Sequence, residues 1–190
     1  MAGAALSYTT AWGLLKQPYK QELSIRQAQT LLNTPDTATT KGLRDRAILA
    51  VLLGCGLRRS ELAALTVGHV QQRDGRWCIV DLVGKHGRVR TIPMPTWVKV
   101  AMDAWTSAAG VADGYVFRPV NRAGQAQGVG LSEKVVWQLL QPYAAAAGVP
   151  GIAPHDCRRT CARAASWNRS SCCWAMRPCR QASCFAAHQK

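Results

Sequence analysis

Hydrophobic positions recur with a helical period in four stretches of this chain. The predicted helices cover residues 25–33, 42–54, 96–109 and, after Ser132 as cap, 133 to about 146. Ser24 and Gln27 form a capping box at the start of the first helix. In the third helix, Val98, Met102 and Trp105 fall on one face and are predicted to point inward.

Between residues 67 and 95 the pattern changes to the alternation that is typical of β-strands. Residues 77–83 form one predicted strand and residues 88–92 a returning strand, with a hairpin turn at 84–87. The apolar face of the first strand is predicted to consist of Cys78, Val80 and Leu82. The order of elements predicts a mainly α fold with a small antiparallel β-sheet (α+β).

The charge of the chain indicates a polyanionic partner. Its 190 residues carry a formal net charge of +14, and nucleic acid is the usual partner of such a protein. No run of about eighteen apolar residues is present, so no membrane partner is expected. The first residues lack the basic and apolar segments of a signal peptide, which favours the cytoplasm.

Three basic motifs carry the candidate chemistry. Arg58 lies in a tight turn between two helices, the second of which is predicted to begin with Ser60 as its N-cap. Lys85 lies at the tip of the predicted hairpin. His155 and Arg158 are three residues apart in a helix that begins at Pro154, so both can reach the same anion. Taken singly, each motif is also compatible with ordinary solvated surface residues.

Together these side chains suit phosphoryl transfer without a metal. Two guanidiniums can hold the non-bridging oxygens of a phosphodiester and neutralise the charge that builds up on phosphorus. A lysine can protonate the leaving oxygen, and a histidine can act as acid or base. No cluster of carboxylates for a metal accompanies them.

The motifs resemble those of the tyrosine recombinase, or phage integrase, family. The matching segments are Gly56-Leu57-Arg58-Arg59-Ser60-Glu61-Leu62, Gly84-Lys85-His86-Gly87-Arg88 and His155-Asp156-Cys157-Arg158-Arg159-Thr160. The resemblance implies site-specific DNA recombination and integration, with double-stranded DNA and other recombinase protomers as partners and a mobile genetic element as the setting. It implies Arg58, Lys85, His155 and Arg158 as catalytic residues. DNA-binding roles are expected for Arg59, Arg88, Arg90 and Arg159.

In this family a tyrosine attacks the DNA and holds one strand as a 3′-phosphotyrosyl link, which requires no cofactor. The four tyrosines of this chain, however, all precede His155. The His or Trp that the family carries before its tyrosine, in a Leu-Gly-His context, has no match either. The family's N-terminal DNA-clamping domain also has no match in this chain. The resemblance therefore predicts a catalytic domain that is truncated at both ends and lacks phosphotyrosine chemistry.

The tail has an unusual composition. Residues 164–190 are rich in Cys, Trp and Arg and contain no Asp or Glu. If the codons of this stretch are read from their third base, Trp174-Ala175 must yield a glycine codon, and the stretch can spell a Leu-Gly-His segment. We therefore expect a frameshift after about Arg163. The domain organisation is then a leader or linker at 1–22, the catalytic domain at 23–163 and a poorly ordered tail at 164–190.

Other interpretations remain open. A zinc site could use Cys173, Cys179, Cys184 and His188, although its spacing is not that of familiar zinc modules. The chain could be an enzyme remnant that acts when a partner supplies the tyrosine in trans, or a non-catalytic DNA-binding fragment or pseudogene product. It could also be an unrelated basic nucleic-acid-binding protein with chance motifs.

Overall fold

The structure is a computed structural model that describes residues 23–83, 87 and 89–167. Its helices are α1 (Ile25–Asn33), α2 (Thr40–Gly54), α3 (Arg59–Ala63), α4 (Thr96–Ala109), α5 (Glu133–Ala146) and α6 (Pro154–Trp167). Its strands are β1 (Val70–Arg73), β2 (Arg76–Val83) and β3 (Val89–Pro93). The prediction of a mainly α fold with a small antiparallel sheet is confirmed. Helix α6 continues to Trp167 and so includes the first four residues of the predicted tail, and residues 168–190 lie outside the described residues.

Helix α2 forms the centre of the hydrophobic core. Its side chains from Ala47 to Leu52 are fully buried, on every side of the helix. Helix α4 packs against it and buries Val98, Met102 and Trp105, as the sequence predicts. The two helices approach closely at Gly54, where an added β-carbon would lie only 2.4 Å from Cγ2 of Val98. Glycine is therefore required at this crossing for steric reasons.

A buried polar cluster joins α2 to α5. The Arg44 guanidinium lies 2.7 Å from Oδ1 of Asp45, and both residues are almost completely buried. The Tyr143 hydroxyl donates to Oδ2 of Asp45 at 2.8 Å. Because each oxygen of this carboxylate has a partner, its charge is compensated inside the core.

The sheet has the order β1-β2-β3, with both pairs antiparallel. A register shift between Ile79 and Leu82 interrupts the pairing of β2 with β3, and Asp81 takes a left-handed φ of 54° there. Val80 and Leu82 are buried, as the predicted apolar face requires. The prediction is wrong only for Cys78, because the extra residue of the β-bulge changes which side chains point inward. Ile79 is fully buried, whereas Cys78 is only partly buried.

Helices α1 and α6 close the fold on the remaining side. The predicted capping box is present: Ser24 Oγ accepts from the Gln27 N–H, and Gln27 Oε1 accepts from the Ser24 N–H. Both helices pack on α2 and on each other. The Leu23 N–H donates to Oγ1 of Thr160 at 3.3 Å, a contact between residues 137 positions apart. This contact and the packing on α2 hold α6, whose first turn carries the third basic motif.

Candidate functional site

Arg58 is held where α2 ends and α3 begins. Gly56 has a φ of 62°, which allows the chain to reverse direction, and the buried Leu57 anchors the turn. Arg58 follows in an extended conformation as the N-cap of α3. Its backbone N–H donates to Oε2 of Glu61 at 2.7 Å. The prediction that Ser60 caps this helix is wrong, because the Glu61 carboxylate caps the helix start from inside the protein.

Glu61 also binds two guanidiniums. Its side chain is only 2% exposed, and its Oε1 accepts from Nη1 of Arg58 at 2.7 Å. Its Oε2 accepts from Nη2 of Arg90, on β3, at 2.6 Å. These three residues are called the Arg58–Glu61–Arg90 cluster below. The cluster links the start of α3 to the returning strand of the hairpin.

The charge state of Glu61 follows from opposing effects on its pKa. Burial alone would raise the pKa of this carboxyl. The hydrogen bonds from the backbone and side chain of Arg58, with the positive charges of Arg90 and Arg58, outweigh burial and bring the pKa below its ordinary value. Glu61 is therefore ionised at neutral pH. Two guanidiniums and one carboxylate leave the cluster with one net positive charge.

The first turn of α6 is organised by Asp156. Its Oδ2 accepts from the Ala153 N–H at 3.0 Å, which caps the helix just before Pro154. Nε2 of His155 lies 3.4 Å from Oδ1 of Asp156, so the two form an ion pair when His155 is protonated. The His155 side chain remains 59% exposed. Asp156 thus orients the start of the helix while His155 stays accessible to solvent.

The two arginine motifs meet in one cleft of about 480 Å³ between α3, α5 and α6. Its lining consists of Leu57, Arg58, Arg59, Ser60, Glu133, Trp137, Ala153, Pro154, His155 and Arg158. Three of the four predicted catalytic residues are therefore brought together although they lie up to about a hundred positions apart in the sequence. The fourth, Lys85, lies outside the described residues, as does Arg88.

The predicted DNA-binding arginines occupy different environments. Arg59 lies at the cleft, where its Nε contacts Oε2 of Glu133 at 3.2 Å. Arg159 is exposed and is not part of the cleft lining. Arg90 is turned toward Glu61, and its side chain is 31% exposed. Of these three, only Arg59 therefore shares the cleft with Arg58 and Arg158.

Three residues of the site were not predicted from the sequence: Glu61, Glu133 and Trp137. Glu61 follows Arg58 by three positions. This is the spacing of a capping box, in which the third helical residue accepts a hydrogen bond from the backbone N–H of the N-cap, so the sequence does indicate the role of Glu61. Glu133 and Trp137 are four positions apart on α5 and therefore share the helix face at the cleft. Because both residues are separated from the basic motifs along the chain, no local sequence pattern indicates that they belong to the site.

The part of the chain that the structure describes contains no group of three or more His, Cys, Asp or Glu side chains that could hold a metal. The alternative zinc residues, Cys173 to His188, lie outside the described residues. Within the described ranges, no helix is long and apolar enough to cross a membrane.

Comparison with protein families identifies a relationship over most of the chain. The model of the phage integrase family matches residues 21–168. The tyrosine recombinase XerD of Yersinia pestis is 32% identical over 153 residues, which cover 76% of this chain and 48% of that protein. XerD of Neisseria meningitidis serogroup A is 34% identical over 141 residues, covering 70% of this chain and 45% of that protein.

Solved structures of recombinases have a similar fold. The crystal structure of XerA recombinase superimposes with a TM-score of 0.60 at 21% identity, covering 78% of this chain and 52% of that one. The XerH site-specific recombinase bound to its difH substrate gives a TM-score of 0.59 at 15% identity, covering 78% of this chain and 44% of that one.

The chain spans about half the length of the curated relatives it matches. The family match nevertheless includes all three basic motifs, and the cleft joins the first motif to the third. This chain belongs to the phage integrase family and contains the fold of a tyrosine recombinase catalytic domain.

Proposed function

We propose that this chain binds a DNA phosphodiester in the cleft between α3 and α6 and performs part of the strand-cleavage chemistry of a tyrosine recombinase. The observation that carries the proposal is the meeting of Arg58, His155 and Arg158 in one cleft. The net charge of +14 favours a polyanion. DNA as the ligand is supported by relatives: XerH binds difH DNA, and the Tn1549 integrase, with a TM-score of 0.55, was solved with its circular-intermediate DNA.

Each cationic side chain has a distinct role in this mechanism. Arg58 and Arg158 hold the non-bridging oxygens of the scissile phosphate and stabilise the added negative charge of the transition state. His155, which is exposed at the start of α6, exchanges a proton with the phosphate or the attacking group. Lys85, which lies outside the described residues, protonates the 5′ oxygen as it leaves. The roles of all four residues are part of the proposal.

Within the described part of the chain, no tyrosine or cysteine lines the cleft as a candidate nucleophile. Tyr143 is partly buried against the core, where burial and the hydrogen bond to Asp45 raise its pKa, and it is not part of the cleft lining. Tyr115 lies outside the cleft lining as well. Cys157, beside Arg158 in the sequence, is fully buried, and burial raises the pKa of its thiol to about 12. We therefore propose that the chain alone binds DNA without forming a covalent link to it.

The binding half of the proposal is tested with a fluorescent duplex of about 30 base pairs, by anisotropy, at several salt concentrations. The double variant Arg58→Ala/Arg158→Ala should lose about 10- to 100-fold in affinity, because two charge-assisted contacts disappear. It should also have a shallower salt dependence. Arg76→Ala/Arg122→Ala is the matched control, since both arginines are exposed and outside the cleft lining. Equal affinity of both double variants would favour an unrelated basic nucleic-acid-binding protein.

The catalytic half is tested with a nicked suicide duplex that traps a covalent intermediate. The chain alone should give no protein–DNA adduct on a denaturing gel. An adduct would show that the chain does contain a working nucleophile. If an adduct forms only when a family member lacking its own arginine pair but retaining its tyrosine is added, the chain acts as an enzyme in trans. No adduct in the mixture would leave the non-catalytic DNA-binding fragment as the function.

A further inference from the structure

We propose that Arg90 is a positioning residue that acts on the bound phosphodiester through Glu61 and Arg58, and that it does not contact the DNA itself. The inference rests on the proposed function, because it requires that Arg58 holds a phosphate in the cleft. It replaces the direct DNA-binding role that the sequence suggests for Arg90.

The contacts of Arg90 point away from a direct DNA contact. Its Nη2 lies 2.6 Å from Oε2 of Glu61, a carboxylate that is 2% exposed. Its Nε is buried and has no hydrogen-bond partner within the described part of the chain. The residue is also not part of the cleft lining. Two of the three guanidinium nitrogens are therefore turned toward the protein, since Nη2 contacts Glu61 and Nε is buried.

Glu61 transmits the effect of Arg90 because its two oxygens are shared. Oε1 accepts from Nη1 of Arg58 at 2.7 Å, and Oε2 accepts both from the Arg58 backbone N–H at 2.7 Å and from Arg90. The contact from β3 therefore fixes the position of the carboxylate that orients Arg58. The Arg58 side chain stays 40% exposed, and it lines the cleft with donors that Glu61 does not use.

Charge balance gives Arg90 a second effect. A pair of Arg58 and Glu61 alone is neutral and would attract a phosphate weakly. With Arg90 bound to the same carboxylate, the cluster keeps one net positive charge, and the partly exposed Arg58 presents it to the cleft. The charge of Arg90 therefore favours phosphate binding from a position that the phosphate does not touch.

A double-mutant cycle distinguishes this mechanism from direct contact. Affinity for the 30-base-pair duplex, and for inorganic sulfate as a minimal probe, is measured for the wild type, Arg90→Gln, Glu61→Gln and the double variant. Arg90→Gln should weaken DNA binding about tenfold, the size of one lost charge-assisted interaction. In the Glu61→Gln background the same change should alter affinity by only about two- to threefold, because Arg90 can then act through its charge but no longer through the position of Arg58. Arg76→Gln, which removes an exposed arginine, controls for net charge.

Arg90→Lys should bind within about twofold of the wild type. Arg90 makes a single contact to Glu61 through Nη2, and one ammonium can replace a single contact. Urea unfolding of each variant separates loss of binding from loss of stability. A loss of equal size in both backgrounds, or no loss in either, would overturn the inference. Loss of binding in Arg58→Ala/Arg158→Ala tests the proposed function separately from the cycle.

The wild-type protein provides a measurement that does not depend on a variant folding. In nitrogen-15 NMR spectra of the arginine side chains, the Nε–H of Arg90 should exchange slowly with water and shift little when DNA is added. The Nε–H resonances of Arg58 and Arg158 should shift markedly. If the Arg90 resonance shifts most of the three, Arg90 contacts the DNA and the inference is wrong.

Discussion

Replacing Glu61 by glutamine tests how much of the fold depends on the Arg58–Glu61–Arg90 cluster. The substitution preserves shape but removes a charge that accepts three contacts of 2.6–2.7 Å. Breaking a buried ion pair by removing one partner typically costs about 3–5 kcal/mol. The side chains of Arg58 and Arg90 are 40% and 31% exposed, so water partly solvates the two guanidinium charges that lose their carboxylate partner. We therefore expect a loss of about 2–3 kcal/mol in the free energy of unfolding at pH 7.

The pH dependence of this loss has a defined sign. The pKa of Glu61 is lower in the folded protein than its ordinary value, so the carboxylate stabilises the fold at neutral pH. That stability is lost as the pH falls through the folded-state pKa, because the carboxyl then becomes protonated. Glutamine does not titrate. The difference between wild type and Glu61→Gln should therefore be largest near pH 7 and shrink below about pH 4.

Urea unfolding followed by circular dichroism at pH 7, 5 and 3 measures this difference. Glu133→Gln is the matched control, because Glu133 is 50% exposed and makes one longer contact, of 3.2 Å, to Arg59. Its effect should stay within about 1 kcal/mol at every pH. Equal stability of Glu61→Gln and the wild type at pH 7 would refute the reasoning, as would a difference that does not change with pH.

Three further predictions concern the core. Tyr143→Phe should cost about 1.5–3 kcal/mol in thermal or urea unfolding, because it leaves Oδ2 of the buried Asp45 without its 2.8 Å hydrogen bond; an unchanged melting temperature would contradict this. Gly54→Ala should cost about 1–3 kcal/mol by the same assay, since its β-carbon would lie 2.4 Å from Val98, and wild-type stability would mean that α2 and α4 are further apart. Cys157 should resist alkylation at pH 8 until urea unfolds the protein, because burial raises its pKa to about 12; rapid labelling of the native protein, read by peptide mass spectrometry, would show that the thiol is accessible.

Local sequence signals predicted the helices well. The bounds of α1 and α4 agree with the predicted ranges, because a capping box marks the first and the positions of Val98, Met102 and Trp105 mark the second. These features depend only on residues a few positions apart. The β-bulge at Asp81 left no such signal, since Cys78, Val80 and Leu82 alternate as in a regular strand.

The sequence motifs predicted which basic residues form the site, but they did not predict the contacts that hold these residues in place. The tight turn after α2 placed Arg58 in a bend, as expected, whereas the interior carboxylate that holds it was not predicted. Arg90 looked like one more basic residue on a hairpin, and only the ion pair between β3 and α3 in the structure reveals its partner Glu61. The roles of Lys85 and Arg88 remain predictions, since both residues lie outside the described part of the chain.

The contact between Leu23 and Thr160 has a consequence for the order of events during synthesis on the ribosome. Helix α6 carries His155 and Arg158, and it is held by a residue 137 positions earlier in the chain. A nascent chain that has emerged only through α5 contains Arg58 but not the second half of the cleft. Contacts of such high sequence separation form late and make folding slow. The growing polypeptide should therefore become able to bind phosphate only when nearly the whole domain has left the exit tunnel.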